Sequence, residues 1–260
     1  MLEIKNITIS YQNRPTVKHF SMDLKEGEIA SLVGESGSGK TTVIRAVLGL
    51  LAGGGKVTEG DILFDGKSLL KNTPDQWRRL RGTDISIIFQ DSGAMLNPIR
   101  KIGASFVEYI RIHEKISKGD AWKKGIAMLE RMRLPSGDNI MNSYPFQLSG
   151  GMRQRVGIAM AMTFRPKLLL ADEPTSALDV TTQAQIVRQM MELRDDYGTS
   201  MIVVTHNLGV AAYMSDQIVV MKNGEIADSG SREDILYGGH SDYTQKLLDA
   251  VPSLGGVRYV

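Results

Sequence analysis

Cysteine is absent from this 260-residue chain. Without thiols there is no disulfide scaffold, no thiol chemistry, no iron–sulfur cluster and no Cys-ligated zinc, and a reducing compartment is permitted. Neither sign of charge dominates: 31 Lys plus Arg against 29 Asp plus Glu leave a formal net charge of +2. That balance argues against nucleic acid as the main partner, which favours a strong basic excess. Long apolar runs are missing too. None approaches the ~18 consecutive residues of a membrane helix, so any membrane spans are expected on another chain. The opening residues, Met1 to Asn6, place no basic stretch before an apolar segment, and a signal peptide is not expected. What is present is ordinary globular composition, 42% hydrophobic and 23% charged. Disorder and collagen-like repeats are excluded, and the length allows one large domain or two closely joined ones.

The first third reads as β-rich. Leu2 to Ile9 alternates apolar and polar residues, the pattern of a half-buried strand. Ile29 to Val33 is a short apolar run that ends in a glycine-rich loop. From Thr42 onward, Val43, Ile44, Ala46, Val47 and Leu50 recur at helical spacing until Gly53-Gly54-Gly55 stops them. Asp84 to Phe89, Leu168 to Ala171 and Met201 to Thr205 read as buried strands. Strands separated by helical stretches predict an α/β fold with a largely parallel sheet. Between about Asp91 and Arg155 the strand signal disappears and a helical insertion is expected, with Trp122, Lys123 and Lys124 on an exposed face. Ser229-Gly230-Ser231 and Gly238-Gly239 read as turns before a short amphipathic helix around Tyr243 to Leu248. The 14 methionines are read as core filling.

Gly34-Glu35-Ser36-Gly37-Ser38-Gly39-Lys40-Thr41 matches the phosphate-loop pattern G-x-x-x-x-G-K-[ST]. Glycines let the backbone wrap so that successive N–H groups face phosphate oxygens, and the following helix adds its positive dipole end. Lys40 is expected to neutralise the β- and γ-phosphates, and the Thr41 hydroxyl to hold Mg²⁺. An apolar strand before the loop and a helix after it favour this over a plain glycine turn. The strand Leu168 to Ala171 ends in Asp172-Glu173. Two acids after a strand are often merely solvated; beside a phosphate loop, Asp172 is the natural Mg²⁺ partner and Glu173 the natural base for an attacking water. Ser149-Gly150-Gly151 precedes a helix expected over Val156 to Met162. It offers a hydroxyl, free N–H groups and a helix N-terminus, a second anion-binding surface, though without the other motifs a simple N-cap with a turn is the favoured reading.

Taken in order, these stretches resemble the ATP-binding subunits of ABC transporters, from about residue 2 to residue 248. The resemblance implies the ABC ATPase fold: a RecA-like phosphate-loop core, an antiparallel β subdomain and an inserted helical subdomain. It places the core and the N-terminal β subdomain at 1–90 and 156–238, the helical subdomain at 91–155 and a tail at 239–260. It also implies roles for residues that say little alone. Tyr11 stands where an aromatic stacks on adenine, and Gln90 where a glutamine meets Mg²⁺ and the attacking water. Leu148 to Met152 is the signature motif, Ser176 to Asp179 the D-loop and His206 the switch histidine that touches the γ-phosphate. Gly34, Ser36, Gly37, Ser38, Gly39, Lys40, Thr41 and Thr42 would hold ATP. Ser149, Gly150 and Gly151 would cover the ATP of a partner ATPase. Arg153 and Arg155 are read as helix-surface or subdomain salt-bridge residues with no catalytic role.

The stretch from Asp91 to Pro98, Met152 in the signature, Thr205 to Val210, and His240 to Thr244 with Leu247 and Leu248 are similar to the peptide and nickel importer group. Ser92, Met95, Asn207 and Asp242 depart from its usual residues. The lack of cysteine and the stop at Val260 resemble the short, nickel- or metallophore-type members. Implied partners are a second, different ATPase chain, two permease subunits and an extracellular solute-binding protein, with this chain peripheral on the cytoplasmic membrane face. ATP-driven closure and reopening would reach the permease through the segment after Gln90 and the helical insertion. Two other readings compete: a soluble ABC ATPase of nucleic-acid repair or translation, and a nucleotide-binding module without hydrolysis. Intact Glu173 and His206 argue against the second.

Overall fold

The structure, a computed structural model, describes residues 1–90, 92–251, 253–254 and 257–258. In chain order the strands are β1 (Leu2–Tyr11), β2 (Arg14–Leu24), β3 (Ile29–Val33), β4 (Lys56–Phe64), β5 (Lys67–Ser68), β6 (Ile85–Ile88), β7 (Leu168–Asp172), β8 (Ser200–Thr205), β9 (Gln217–Lys222), β10 (Glu225–Ser231), β11 (Ser253–Leu254) and β12 (Val257–Arg258). Contacts divide the chain into two compact units, Met1–Trp77 with Ser200–Val260, and Arg78–Thr199.

In the first unit an antiparallel sheet runs β2-β1-β4-β5. Its strands alternate imperfectly, because the β1–β4 pairing shifts register between Lys5 and Thr8. The unit also carries β3, which pairs in parallel with β8 (Ile29 with Met201, Val33 with Thr205) and with β9 (Ala30 with Gln217). Antiparallel β10 completes this edge. Residues Ser229 to Ser231 therefore belong to a strand and not to the turn expected from their composition; their backbone groups pair with Gln217 to Val219. β3 and β8 are buried at every position, as continuous apolar runs of parallel strands should be. Helix Lys40–Val47 follows β3 and buries Val43, Ile44, Ala46 and Val47. Helices Leu208–Met214, Arg232–Tyr237 and Asp242–Asp249 complete the unit, the last close to the helix expected from its amphipathic pattern.

In the second unit β6 and β7 pair in parallel, Ile85 with Leu168 through Ile88 with Ala171. Between Gln90 and Leu168 the described residues form only helices and turns, chiefly Ile102–His113, Lys118–Arg131, Gly137–Asn142 and Gly150–Met162. The signature helix thus begins at Gly150, six residues before the expected Val156. Ser149 caps it, accepting the Met152 N–H at 3.2 Å, so the two glycines are taken into the first turn. Trp122 does not share the exposed face of Lys123. Its indole N–H donates to Asp138 Oδ1 at 2.9 Å, and its ring lies so close to Gly103 that a Cβ there would stand 2.4 Å from it. Among the described residues no helix is long and apolar enough to cross a membrane.

Candidate functional site

The first unit holds the phosphate loop. β3 ends at Val33 and the chain turns at Gly34, whose φ of +152° and distance of 2.2 Å from a would-be Cβ to the Met221 carbonyl oxygen leave room only for glycine. Ser36 and Gly37 are exposed and Ser38 is buried. Gly39, in the left-handed region, is the N-cap of helix Lys40–Val47, and no side chain caps that end. Thr41 and Thr42 sit half-buried in the first turn of that helix, whose positive dipole end favours an anion. Lys40 is 5% exposed. Its Nζ donates to the carbonyls of Gly34 and Glu35, both at 2.7 Å, and to Ser38 Oγ at 3.3 Å. Its own loop satisfies a buried ammonium that a phosphate would otherwise receive.

Two more expected residues lie in this unit. Tyr11 ends β1, half-buried, its ring against Gly55, where a Cβ would come within 2.5 Å of it. His206 stands exposed directly after β8. The next residue, Asn207, caps helix Leu208–Met214 by accepting the Gly209 and Val210 N–H groups, a task an aspartate would also perform.

The second unit assembles the acids and the signature. Asp172 closes β7 and is 6% exposed. Glu173 follows at φ 46°, left-handed for a residue with a Cβ, a conformation that collects at functional sites. The amide of Gln90, which follows β6 after Phe89, donates to Glu173 Oε2 at 3.3 Å. The structure therefore brings together the residue expected to orient water and the expected base. The turn after Glu173 is held from behind. Buried Gln154 of the signature helix donates to the Pro174 carbonyl at 2.7 Å, and the Ser176 hydroxyl donates to the Glu173 carbonyl. Sequence reasoning missed Gln154; its place one helical turn after the signature glycines was the only signal available.

Ser149, Gly150 and Gly151 line a cavity of about 470 Å³ that also borders Leu178, Asp179 and Thr182. Gly151 approaches Thr182 so closely that a Cβ would meet Thr182 Cγ2 at 2.7 Å. Asp179 caps helix Val180–Tyr197, and the Thr182 backbone N–H and hydroxyl hold its carboxyl below the usual aspartate range. Arg155 borders the same cavity and donates to Gln185 at 2.7 Å. Burial, then the nearby Arg133 charge, lowers its pKa. Arg153 donates to the Leu148 carbonyl at 2.6 Å, so both arginines have local structural tasks. Among the described residues no cluster of three or more His, Asp or Glu groups could hold a metal alone. Mg²⁺ needs none: it keeps several waters and takes one or two protein ligands beside phosphate oxygens.

Compared with known proteins, residues 17–176 match the family model described as ABC transporter. This chain belongs to the ABC transporter family. It is 40% identical over 259 residues to the dipeptide transport ATP-binding protein DppD of Lactococcus lactis subsp. cremoris, covering 98% of this chain and 74% of that protein. It is 41% identical over 260 residues to the oligopeptide transport ATP-binding protein OppD of Haemophilus influenzae, covering 98% and 80%. Among solved structures it is similar to the dimeric ATP-binding cassette MJ0796 bound to ADP and Pi, with a TM-score of 0.78 and 30% identity over 89% of this chain and 99% of that one. The ABC ATPase fold implied by the motifs is therefore the fold of this chain, and the chain is an ATP-hydrolysing, ATP-binding subunit. A place in nucleic-acid repair is not favoured by this ABC transporter's relatives.

Proposed function

We propose that this ABC ATPase energises an importer of peptides or chemically related solutes, with ATP sandwiched between it and a partner ATPase. The observation that carries the import reading is the likeness, along nearly the whole chain, to proteins named for dipeptide and oligopeptide transport. Nickel and metal–chelator cargo remain within the reading, since cargo is chosen by other chains.

The roles follow from chemistry. Gly34, Ser36, Gly37, Ser38, Gly39 and Thr42 present backbone and hydroxyl groups to the phosphates, and Lys40 leaves its loop carbonyls to neutralise the β- and γ-oxygens. Tyr11 offers an aromatic face to adenine. Glu173 takes a proton from the attacking water, Gln90 orients that water, and His206 holds the γ-phosphate. Thr41, Asp172 and Gln90 are oxygen donors of the kind Mg²⁺ takes, directly or through water. When bound, the ion neutralises charge on the phosphate oxygens. Ser149, Gly150 and Gly151 face the partner's nucleotide, so one subunit alone leaves the γ-phosphate without its full electrostatic cage.

The helical segment 91–155 is the coupling element in this reading. Exposed Met95 and Ile99 follow Gln90. A groove of about 730 Å³ includes Val107, Ile112 and Trp122, with Arg111 and Lys118 beside them. These support docking of a permease segment on the cytoplasmic face. The partners are then two permease subunits, a second and different ATPase, and an extracellular solute-binding protein acting through the permease. The test is purification of this chain from native membranes, with copurifying proteins identified and ATPase activity assayed. Two permease subunits and a second ATPase are expected. Recovery of ribosomal or nucleic-acid partners without membrane proteins overturns the reading.

A further inference from the structure

Tyr243 lies 208 positions from the phosphate loop in sequence and touches it in the fold. The Glu35 backbone N–H donates to the Tyr243 hydroxyl at 3.0 Å. That N–H belongs to the peptide unit joining Gly34 to Glu35, and the carbonyl of the same unit, on Gly34, accepts from Lys40 Nζ at 2.7 Å. In a trans peptide the N–H and C=O point in opposite directions across one rigid plane. One plane is therefore gripped at both edges, by the tyrosine hydroxyl on one side and the lysine ammonium on the other. We propose that Tyr243 is a positioning residue of the phosphate loop: its hydroxyl sets the Gly34–Glu35 peptide plane and, through it, the place from which Lys40 reaches phosphate. The proposal rests on the phosphate-loop reading and adds to it a residue from the far end of the chain.

The support behind the hydroxyl is buried and hydrogen-bonded. The Tyr243 ring belongs to a buried cluster with Val33, Val220, Ile218 and Leu248, and Val33 is the residue before Gly34. Lys222 Nζ lies 4.8 Å from the ring centroid. Helix Asp242–Asp249 is fastened at its start by Asp228, which accepts from the Ser241 hydroxyl at 2.6 Å and from the Thr244 hydroxyl. Burial pushes the Asp228 carboxyl up, but these hydrogen bonds outweigh it and hold it below the usual aspartate range. Strand β10, which carries Asp228, thereby anchors the helix that carries Tyr243. A group held this firmly lowers the reorganisation needed when nucleotide arrives. Without it, the peptide plane samples other orientations, and apparent affinity falls by the fraction still competent.

The test is Tyr243→Phe on the full chain, which keeps the ring and removes only the hydroxyl. Three quantities are read: Mg·ADP affinity, the melting midpoint without nucleotide, and amide hydrogen exchange at Glu35 and across residues 242–249. Lys40→Ala is measured in parallel. Loss of one hydrogen bond to a loop amide predicts roughly three- to tenfold weaker Mg·ADP binding. Exchange at Glu35 is expected to quicken, while the melting midpoint and protection of 242–249 are kept. Wild-type affinity in Tyr243→Phe, with affinity lost in Lys40→Ala, overturns the positioning role and leaves the phosphate loop standing. Unchanged affinity in Lys40→Ala overturns the loop reading and the proposal with it. A lowered melting midpoint with quicker exchange throughout 242–249 overturns it as well, since Tyr243 would then act only as a strut for its own helix.

Discussion

The phosphate loop and the signature segment are both glycine-rich turns ahead of a helix, and they are finished differently. In the loop, the cation that would meet phosphate already has three oxygen partners inside its own unit, while the helix end has no side-chain cap. In the signature segment the helix end is capped by Ser149, and the glycines border an open cavity. In the proposed function the loop exchanges its own carbonyls for phosphate oxygens, so nucleotide affinity is expected already in the isolated chain. In the proposed function the signature covers a phosphate brought by another chain, so its contribution is expected only in the assembly.

The largest effect that could break this comparison lies outside both turns. Glu173→Gln keeps the amide contact to Gln90 possible but removes the base, and steady-state ATP turnover of the assembled transporter should fall by roughly 10²–10⁴ with ATP affinity kept. Normal turnover would take Glu173 out of that role. Lys40→Ala is next. It removes a charge-assisted contact and should weaken Mg·ADP binding to the isolated chain by about ten- to a hundredfold, measured by calorimetry. Gln154→Ala leaves the Pro174 carbonyl buried without its partner and should lower unfolding free energy by about 1–3 kcal/mol in a denaturant titration, with reduced turnover. The smallest and sharpest is Ser149→Ala. It costs about 1 kcal/mol of helix capping, leaves Mg·ADP affinity of the isolated chain unchanged, and lowers turnover only with the partner present. Equal loss of affinity in Ser149→Ala and Lys40→Ala would erase the distinction between the two turns.

Legibility followed the range of the interactions. β3, β7 and β8 are short apolar runs whose burial is complete, so local composition marks them. β4 was not legible: Lys56 to Asp61 is largely polar and exposed, and its pairing with β1 is interrupted by shifts in register. The end of β10, Ser229 to Ser231, looked like a turn because serine and glycine favour turns; its strand geometry is imposed by β9 alongside it. The Gln90–Glu173 contact was anticipated only as two roles in one reaction. The grip of Gln154 on Pro174 and of Tyr243 on Glu35 spans 20 and 208 positions, and no local pattern encodes a contact across that distance.

The sequence by itself determined the motif: a run of eight residues matches the phosphate-loop pattern, its glycines at the turns and its lysine and threonine at the helix start. It also determined the buried strands and the acids that end β7, because apolar continuity and a terminal carboxylate are local properties. Tertiary structure decided what those groups do while waiting. It seated Lys40 on two carbonyls, turned Glu173 into the left-handed region beside Gln90, and brought a tyrosine from the last helix of the first unit to the first peptide of the loop. Each of these depends on packing between segments far apart in the chain, where geometry is set by buried surface and paired polar groups and not by neighbours in sequence.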